Sequence, residues 1–472
     1  MKTIQEMLQE LSQCIVTVSG EFRFRTNWNG GKVPPPDLDT FDPNVPFCIE
    51  NVGDVPVEIG LYNTGKSAVR YNCKISTNLK TWSDYNLVLT DDDTSNDIGR
   101  ILLQNKGDRV YIKADNTPLS EYPYPYPHTQ FKVFNPSKSK KIRARGNIAS
   151  LNKGTDDAYK TDYLKLRGIG NYCYYELFKD CISLTQAPDP PATTLNDNCY
   201  GFMFYGCTSL TQAPELPATT LAAYCYKRMF EGCISLTQAP ELSATTLASN
   251  CYDSMFQYCT SLTQAPELPA TILVYECYSH MFQGCTSLTQ APELPATNLF
   301  TRCYQSMFYD CKSLTQAPEL PATTLTYGCY QLMFQGCTSL TQAPELPATT
   351  LAYSCYTRMF KGCTGLTQAP ELPVTQLTEY CYRDMFNGCT SLVQAPELSA
   401  TTLARACYYS MFSGCTKLNY VKCLATDTSA TDCTKEWLPG VSATGDFYTP
   451  ASTNWTTGVS GIPQGWTRHD IT

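Results

Sequence analysis

The sequence predicts a mostly β chain with short helices, in which an N-terminal β-sandwich is followed by a solenoid of ten 26-residue repeats. Three observations predict it. Twenty of the 25 cysteines fall in two registers of one period, Cys173, Cys199, Cys225 and onward to Cys407, and Cys181, Cys207, Cys233 and onward to Cys415. The methionines share that period, from Met203, Met229 and Met255 to Met411. Upstream of the array, apolar residues alternate along short runs bounded by turn residues, as in half-buried strands.

One unit reads Cys-Tyr-Lys-Arg-Met-Phe-Glu-Gly-Cys-Ile-Ser-Leu-Thr-Gln-Ala-Pro-Glu-Leu-Ser-Ala-Thr-Thr-Leu, from Cys225 to Leu247. A 26-residue period lies within the roughly 20 to 29 residues of leucine-rich repeats, so the solenoid is of that type. Each unit offers one short strand, such as Leu236 to Ala239, which Pro240 ends because it has no N–H to donate. The Cys-Tyr-x-x-Met-Phe segment is expected as a short helical or 3₁₀ piece on the outer wall. Glycines such as Gly206, Gly232 and Gly284 would stop it. Leu, Ala, Cys, Met and Phe of each unit are expected to point inward, a face that only stacked neighbours can bury.

Met-Phe-x-Gly-Cys-Thr-Ser-Leu resembles the BspA-like leucine-rich repeats of bacterial surface antigens, over residues 160 to 425. Tyr258 and Asp310 stand where most units carry Gly. The first unit departs further, with Glu176 and Leu177 ahead of Phe178 and Asp189-Pro190-Pro191 in place of Glu-Leu-Pro; a terminal repeat is often atypical because it caps. Joined to a sandwich, such repeats look like composite proteins encoded by gut phages and their bacterial hosts. The resemblance implies a surface-exposed binding or structural role.

The remaining regions are read as follows. Residues 46–150 form the sandwich, with strands through Val57, Ile59 and Leu61; Val69, Tyr71, Cys73 and Ile75; Val110, Ile112 and Ala114; and Ile142 and Ala144. Gly107-Asp108 and Asn63-Thr64-Gly65 supply turns. Residues 1–45 form an anchor: Ile4, Met7, Leu11 and Cys14 occupy a and d positions of two heptads, and Val33-Pro34-Pro35-Pro36-Asp37 is a stiff linker. Such a helix either docks on a larger assembly or nucleates a trimer, or else packs on the sandwich. Residues 151–425 carry the solenoid. Residues 426–472 form a cap, with a helix over Thr426 to Trp437 and Trp455 and Trp466 covering the end of the stack.

Composition narrows the function. With 35 basic and 43 acidic residues the net charge is −8, without the basic stripe that a nucleic-acid partner requires. Met1 to Gln13 has no apolar run and carries Glu6 and Glu10, unlike a secretory signal, and no stretch suits membrane insertion. The expectation is a chain made in a cytoplasm. There the cysteines stay as thiols, although coils stacked about 4.8 Å apart would also permit disulfides. Three histidines, His128, His280 and His469, are dispersed, and no nucleophile, phosphate-loop or zinc-ligand spacing occurs. The expectation is therefore no enzyme, no metal and no cofactor.

The candidate ligand-binding residues are two groups. One is the acidic column of Asp189, Glu215, Glu241, Glu267, Glu293, Glu319, Glu345, Glu371 and Glu397. It is either a solvated rim or a stripe for cations or another ligand. The other is the loop Tyr122-Pro123-Tyr124-Pro125-Tyr126-Pro127-His128, where alternating proline holds the chain extended. Its tyrosines Tyr122, Tyr124 and Tyr126 either project for recognition or fold back. Thr and Gln beside each strand (Thr211 and Gln212, Thr237 and Gln238) either bind a repetitive glycan or satisfy each other. The residues flanking Cys-Tyr vary from unit to unit, either because solvent tolerates any residue there or because they form a diversified contact surface; they include Tyr224, Tyr275, Phe300 and Tyr327, unusual on an idle face.

The reading that fits best is a non-enzymatic virion surface protein of a phage, fibre-like. It would join other virion proteins, or its own copies as a trimer, through Ile4, Met7 and Leu11, and contact a host glycan or protein. The alternatives are a bacterial cell-surface adhesin and an inert spacer.

Overall fold

The computed structural model describes the strands Ile15–Val18 and Glu21–Phe24 and residues 44–63, 69–89, 100–114, 129–137, 139–151 and 171–471. The expected helix carrying Ile4, Met7 and Leu11, the 33–37 linker, the turn at 64–65 and the loop with Tyr122, Tyr124 and Tyr126 lie outside the described residues. Regular structure is strand; one 3₁₀ turn, Ile148–Leu151, is the sole helical segment among the described residues. The chain divides into two compact units, Met1–Asn196 with Phe202–Pro217, and Asp197–Gly201 with Ala218–Thr472.

In the first unit β1 (Ile15–Val18) and β2 (Glu21–Phe24) form an antiparallel hairpin. Two further sheets follow. The larger comprises β3 (Cys48–Asn51), β5 (Val69–Ser76), β6 (Ser83–Leu89), β8 (Arg109–Ala114), β10 (Ile142–Arg145) and β11 (Leu184–Gln186), in the order β11-β10-β3-β8-β5-β6. The smaller has β4 (Val57–Asn63) between β7 (Ile101–Leu103) and β9 (Thr129–Val133). The alternating runs read from the sequence are β4, β5, β8 and β10. Their apolar residues alternate because a strand sends successive side chains to opposite faces: Val57 and Ile59 are buried, and so are Ile142 and Ala144.

Phe47, just before β3, meets Phe131 of β9 with ring centroids 5.7 Å apart, so apolar residues of the two sheets share one core. Asn51 is fully buried, yet its amide is satisfied: Nδ2 donates to the Val55 and Leu103 carbonyls and Oδ1 accepts from Gly53 N–H. β11 belongs to the first repeat, and it pairs in parallel with β10. Thr185 Oγ1 donates to Ile142 O at 2.9 Å and Arg145 reaches Gln186 Oε1 at 3.2 Å. The sheet of the N-terminal region thus runs on into the repeats.

The second unit shows how a repeat is built, and here the structure corrects the expected helices. The segment from Tyr224 to Cys233 is a run of turns. Tyr224, Arg228 and Gly232, four residues apart, have φ of 59°, 54° and 75°. An α-helix cannot contain such residues, since left-handed backbone breaks its bond pattern. Backbone N–H groups instead alternate. Those of Cys225, Lys227, Met229, Glu231 and Cys233 bond three residues back, while those of Tyr224, Tyr226, Arg228, Phe230 and Gly232 donate to Ser249, Cys251, Asp253, Met255 and Gln257 of the next coil. Every N–H in the segment therefore has a partner. Each non-glycine residue at positive φ costs about 1–2 kcal/mol. The inter-coil bonds, at about 0.5–1.5 kcal/mol net each, offset that cost.

The same three positions recur 26 residues apart, at Glu276, His280 and Gly284 and at Tyr380, Asp384 and Gly388. They also recur at Asp432, Glu436 and Gly440, so the expected helix over 426–437 is another turn coil. The expected strand is likewise shorter than read: Leu236 to Ala239 contributes a single parallel bridge, Gln238 to Gln264. Pro240 removes the next donor.

Inside the coils, Cys, Met, Phe and Leu columns have essentially no exposure. The tyrosine after the first cysteine, not expected inward, is buried too. From Tyr200 to Tyr408 these rings stack at 5.8–6.2 Å between centroids. Phenylalanines from Phe230 to Phe412 stack at 5.6–5.8 Å. From Cys259 to Cys415 the second-register thiols donate to a carbonyl of the preceding coil, as Cys285 Sγ does to Phe256 O at 3.0 Å.

After the last coil the bridges lengthen into a parallel sheet of β12 (Tyr420–Lys422), β13 (Gly445–Pro450) and β14 (Trp466–Ile471). Trp437 stacks on Tyr408 at 6.3 Å and on Trp455 at 5.3 Å, with Phe447 edge-on at 5.9 Å. Each indole N–H is satisfied: Trp437 by Gly461 O, Trp455 by Thr449 Oγ1 and Trp466 by Ser442 O.

Candidate interaction surface

With the apolar columns buried, chemistry is confined to what each coil exposes. The side chains of the second unit fall into three bands.

The first band is the polar stretch Thr-Gln-x-x-Glu-x-x-x-Thr-Thr. Thr237, Gln238, Glu241, Thr245 and Thr246 are exposed, and the same positions are exposed in the coils beyond except at the half-buried Glu397. Thr hydroxyls donate along the column, from Thr263 to Thr237 O and from Thr289 to Thr263 O, both at 3.5 Å. The carboxylates of Glu241, Glu267, Glu293, Glu319, Glu345 and Glu371 are exposed on the same rim, as is Glu215 in the first unit. Glu397 pairs with Lys422 at 2.8 Å. In the first unit, Asp189 accepts the Glu215 N–H at 3.3 Å, while burial raises its carboxyl above the ordinary range. Among the described residues no group of three or more His, Cys, Asp or Glu is placed to hold a metal ion.

The second band lies on the turn segment after Cys-Tyr and contains two charged clusters. Asp253, nearly buried, holds Lys227 at 2.9 Å, accepts the Ser254 hydroxyl at 2.8 Å and faces His280 Nδ1 at 3.8 Å. Ser279 Oγ lies 2.7 Å from the same His280 nitrogen. Burial lowers the His280 pKa, and the neighbouring carboxylates of Asp253 and Glu276 only partly oppose that. Ser, His and Asp meet here through one imidazole nitrogen. A nucleophile relay needs both nitrogens, one to accept the hydroxyl proton and one to hold the acid. Asp384, also nearly buried, gathers Arg358, Lys361 and Arg383 within 3.3–3.5 Å. Neither cluster was legible in the sequence, because the partners come from different coils.

The third band is the three residues before the first cysteine. It carries the exposed aromatics Tyr224, Tyr275, Phe300, Tyr327 and Tyr353. The first four were read from the sequence; Tyr353 was missed, although it occupies the same position relative to Cys355 as Tyr327 does to Cys329. Tyr327 and Tyr353 stack at 5.5 Å, and Tyr380 continues the row at 5.2 Å. Arg302 lies over the Tyr327 ring at 5.0 Å and bonds its hydroxyl oxygen at 3.2 Å. Arg383 and Arg405 each lie 5.7 Å from the Tyr380 ring centre. Burial pushes the Glu276 carboxyl up, but hydrogen bonds from Asn250, Tyr275 and Arg302 outweigh it and hold the group below its ordinary value.

Coils joined edge to edge by backbone bonds, with uniform buried columns and a varied outer segment, define a parallel-stacked solenoid. The chain belongs to the BspA-type leucine-rich repeat family, whose pattern matches in six copies over residues 167–315, 250–393 and 330–433, more than half of the sequence. No curated protein matches the chain. Such repeats are consistent with a surface adhesin-like or structural protein.

Proposed function

We propose that the chain is a non-enzymatic surface protein of a phage particle, fibre-like, that contacts the host through its solenoid or its N-terminal β domain. The observation that carries a presenting role is the division of labour in each coil. Buried columns repeat unchanged, while the segment before the first cysteine varies and holds exposed aromatics. Exposed Tyr and Phe in one continuous band mark contact surfaces more often than idle ones. This reading takes residues 46–150 as a β-sandwich, supported by the two sheets meeting at Phe47 and Phe131. It takes the array as ten repeats followed by a cap.

The particle is favoured over a secreted adhesin by the thiols. Array cysteines such as Cys225, Cys251, Cys277 and Cys303 are buried free thiols, which suits a chain that folds in a reducing compartment. Attachment to other virion proteins falls to residues 1–45, with Ile4, Met7 and Leu11 as the apolar contacts. Host contact falls to a glycan or protein; no cofactor, nucleic acid or membrane insertion enters the reading.

Immunogold electron microscopy with an antibody against residues 218–472, on a culture that expresses the chain, tests this directly. Gold on free particles supports the virion reading. Gold confined to the bacterial envelope replaces it with a cell-surface adhesin.

A further inference from the structure

Along six consecutive coils the third band carries, beside the aromatics Tyr275, Phe300 and Tyr380, the row Glu276, Arg302, Tyr327, Tyr353, Glu379 and Arg405. Turned end for end, the row becomes Arg, Glu, Tyr, Tyr, Arg, Glu. Laid against itself about a two-fold axis between Tyr327 and Tyr353, it opposes Glu276 to Arg405, Arg302 to Glu379 and tyrosine to tyrosine, with no like charges facing. A two-fold interface requires this self-complementarity, since residue i meets j wherever j meets i.

The residues are placed to serve it. Tyr327 and Tyr353 are 38% and 44% exposed and already stacked into one ridge. Glu379 and Arg405 are exposed, Arg302 is one-third exposed, and Phe300 adds a half-exposed ring beside Arg302. Arg302 keeps its own Glu276 at 3.3 Å, and a guanidinium has donors enough for a second carboxylate. We infer that this ridge, from Glu276 to Arg405, is a self-association surface on which a second copy of the chain docks antiparallel. The inference rests on the proposed presenting role only in taking this band as a contact surface; it needs neither a phage nor a host.

Six coils about 4.8 Å apart give a ridge under about 30 Å long. A contact of that length and one or two side chains wide belongs to the small, weak class of interfaces. Association is therefore expected as a concentration-dependent step, and sedimentation velocity of the full chain from about 1 µM to about 1 mM covers the range in which such a contact saturates. The wild type should show that step. Glu379→Arg alone and Arg302→Glu alone should each lose it, because each variant opposes like charges twice in its own pair. An equimolar mixture of the two should recover it, because the arginine pair of one chain then faces the glutamate pair of the other. Recovery in the mixture also shows that neither variant is merely misfolded. A wild type without the step, a step that survives both single variants, or variants whose mixture stays dissociated although each unfolds cooperatively, overturns the inference. Gold labelling of particles would stand unchanged in any of those cases.

Discussion

Tyr258 holds a φ of 60° at a position where most coils use glycine, and its ring lies over the glycine of the next coil. A Cβ on Gly284 would stand 2.5 Å from Tyr258 Cδ1. Asp180 and Asp310 cover Gly206 and Gly336 in the same way. A bulky residue at this position is thus tolerated only when the following coil supplies glycine, which is why the three exceptions never occur in adjacent units. Gly284→Ala combines a left-handed backbone, about 1–2 kcal/mol, with overpacking, about 1–3 kcal/mol. It should lower the urea midpoint clearly more than Gly362→Ala, whose φ is 74° but whose Cβ would meet nothing nearer than 3.9 Å. Adding Tyr258→Ala to Gly284→Ala should recover the overpacking part. Equal losses at the two glycines, or no recovery, would refute the contact.

At the scale of the coil, the sequence spoke clearly about what is buried and misleadingly about how the backbone runs. Cys, Met, Phe and Leu recur at one period, so their columns were readable from Cys173 onward. Cys-Tyr-x-x-Met-Phe suggests a short helical or 3₁₀ piece, since its apolar residues lie three and four apart, a helical spacing. The left-handed residues that exclude a helix are Tyr224, Arg228, Glu276 and His280 as often as glycine, and nothing in such side chains announces positive φ. The weak signal was there in Asn198, Asn250, Gly328 and Asp432, types that tolerate this conformation at one position of the repeat. The inward tyrosine escaped notice for a similar reason, since a phenol hydroxyl reads as half-polar until its neighbours are known. In the surface band, the ridge aromatics were partly legible; the charged clusters at Asp253 and Asp384 were not, because stacking alone brings their partners together.

The thiol columns give this element a pH dependence of definite sign. Burial pushes Cys181, Cys225, Cys277, Cys329 and Cys363 from the ordinary 9.0 up to about 12. The folded chain therefore keeps protons that the unfolded chain gives up. Stability from this source is complete below pH 9 and falls as pH rises from 9 through 12, by about 1.4 kcal/mol per pH unit for each such thiol. Urea midpoints followed by circular dichroism should be level between pH 6 and pH 8 on this account and drop steeply above pH 9. A level profile through pH 11 would mean that the thiols are not buried as described.

For the molecule as a whole, the β-rich N-terminal region and the coils are not beads on a string within the first unit: β10 and β11 pair in one sheet, and Tyr174 Oη donates to Ile148 O at 3.1 Å. At the other terminus, the Trp437, Phe447 and Trp455 cluster and the β12–β13–β14 sheet follow the last turn coil with every indole N–H bonded. The account of the whole molecule depends on columns of buried cysteine thiols running through this array. The measurement that tests this most directly is intact mass after alkylation, on native protein and on protein unfolded without a reductant. The account predicts that the cysteines of the array take up essentially no label while native and one label each once unfolded. Cysteines that stay unlabelled after unfolding, with the mass deficit of disulfides, or that label rapidly in the native protein, would contradict it.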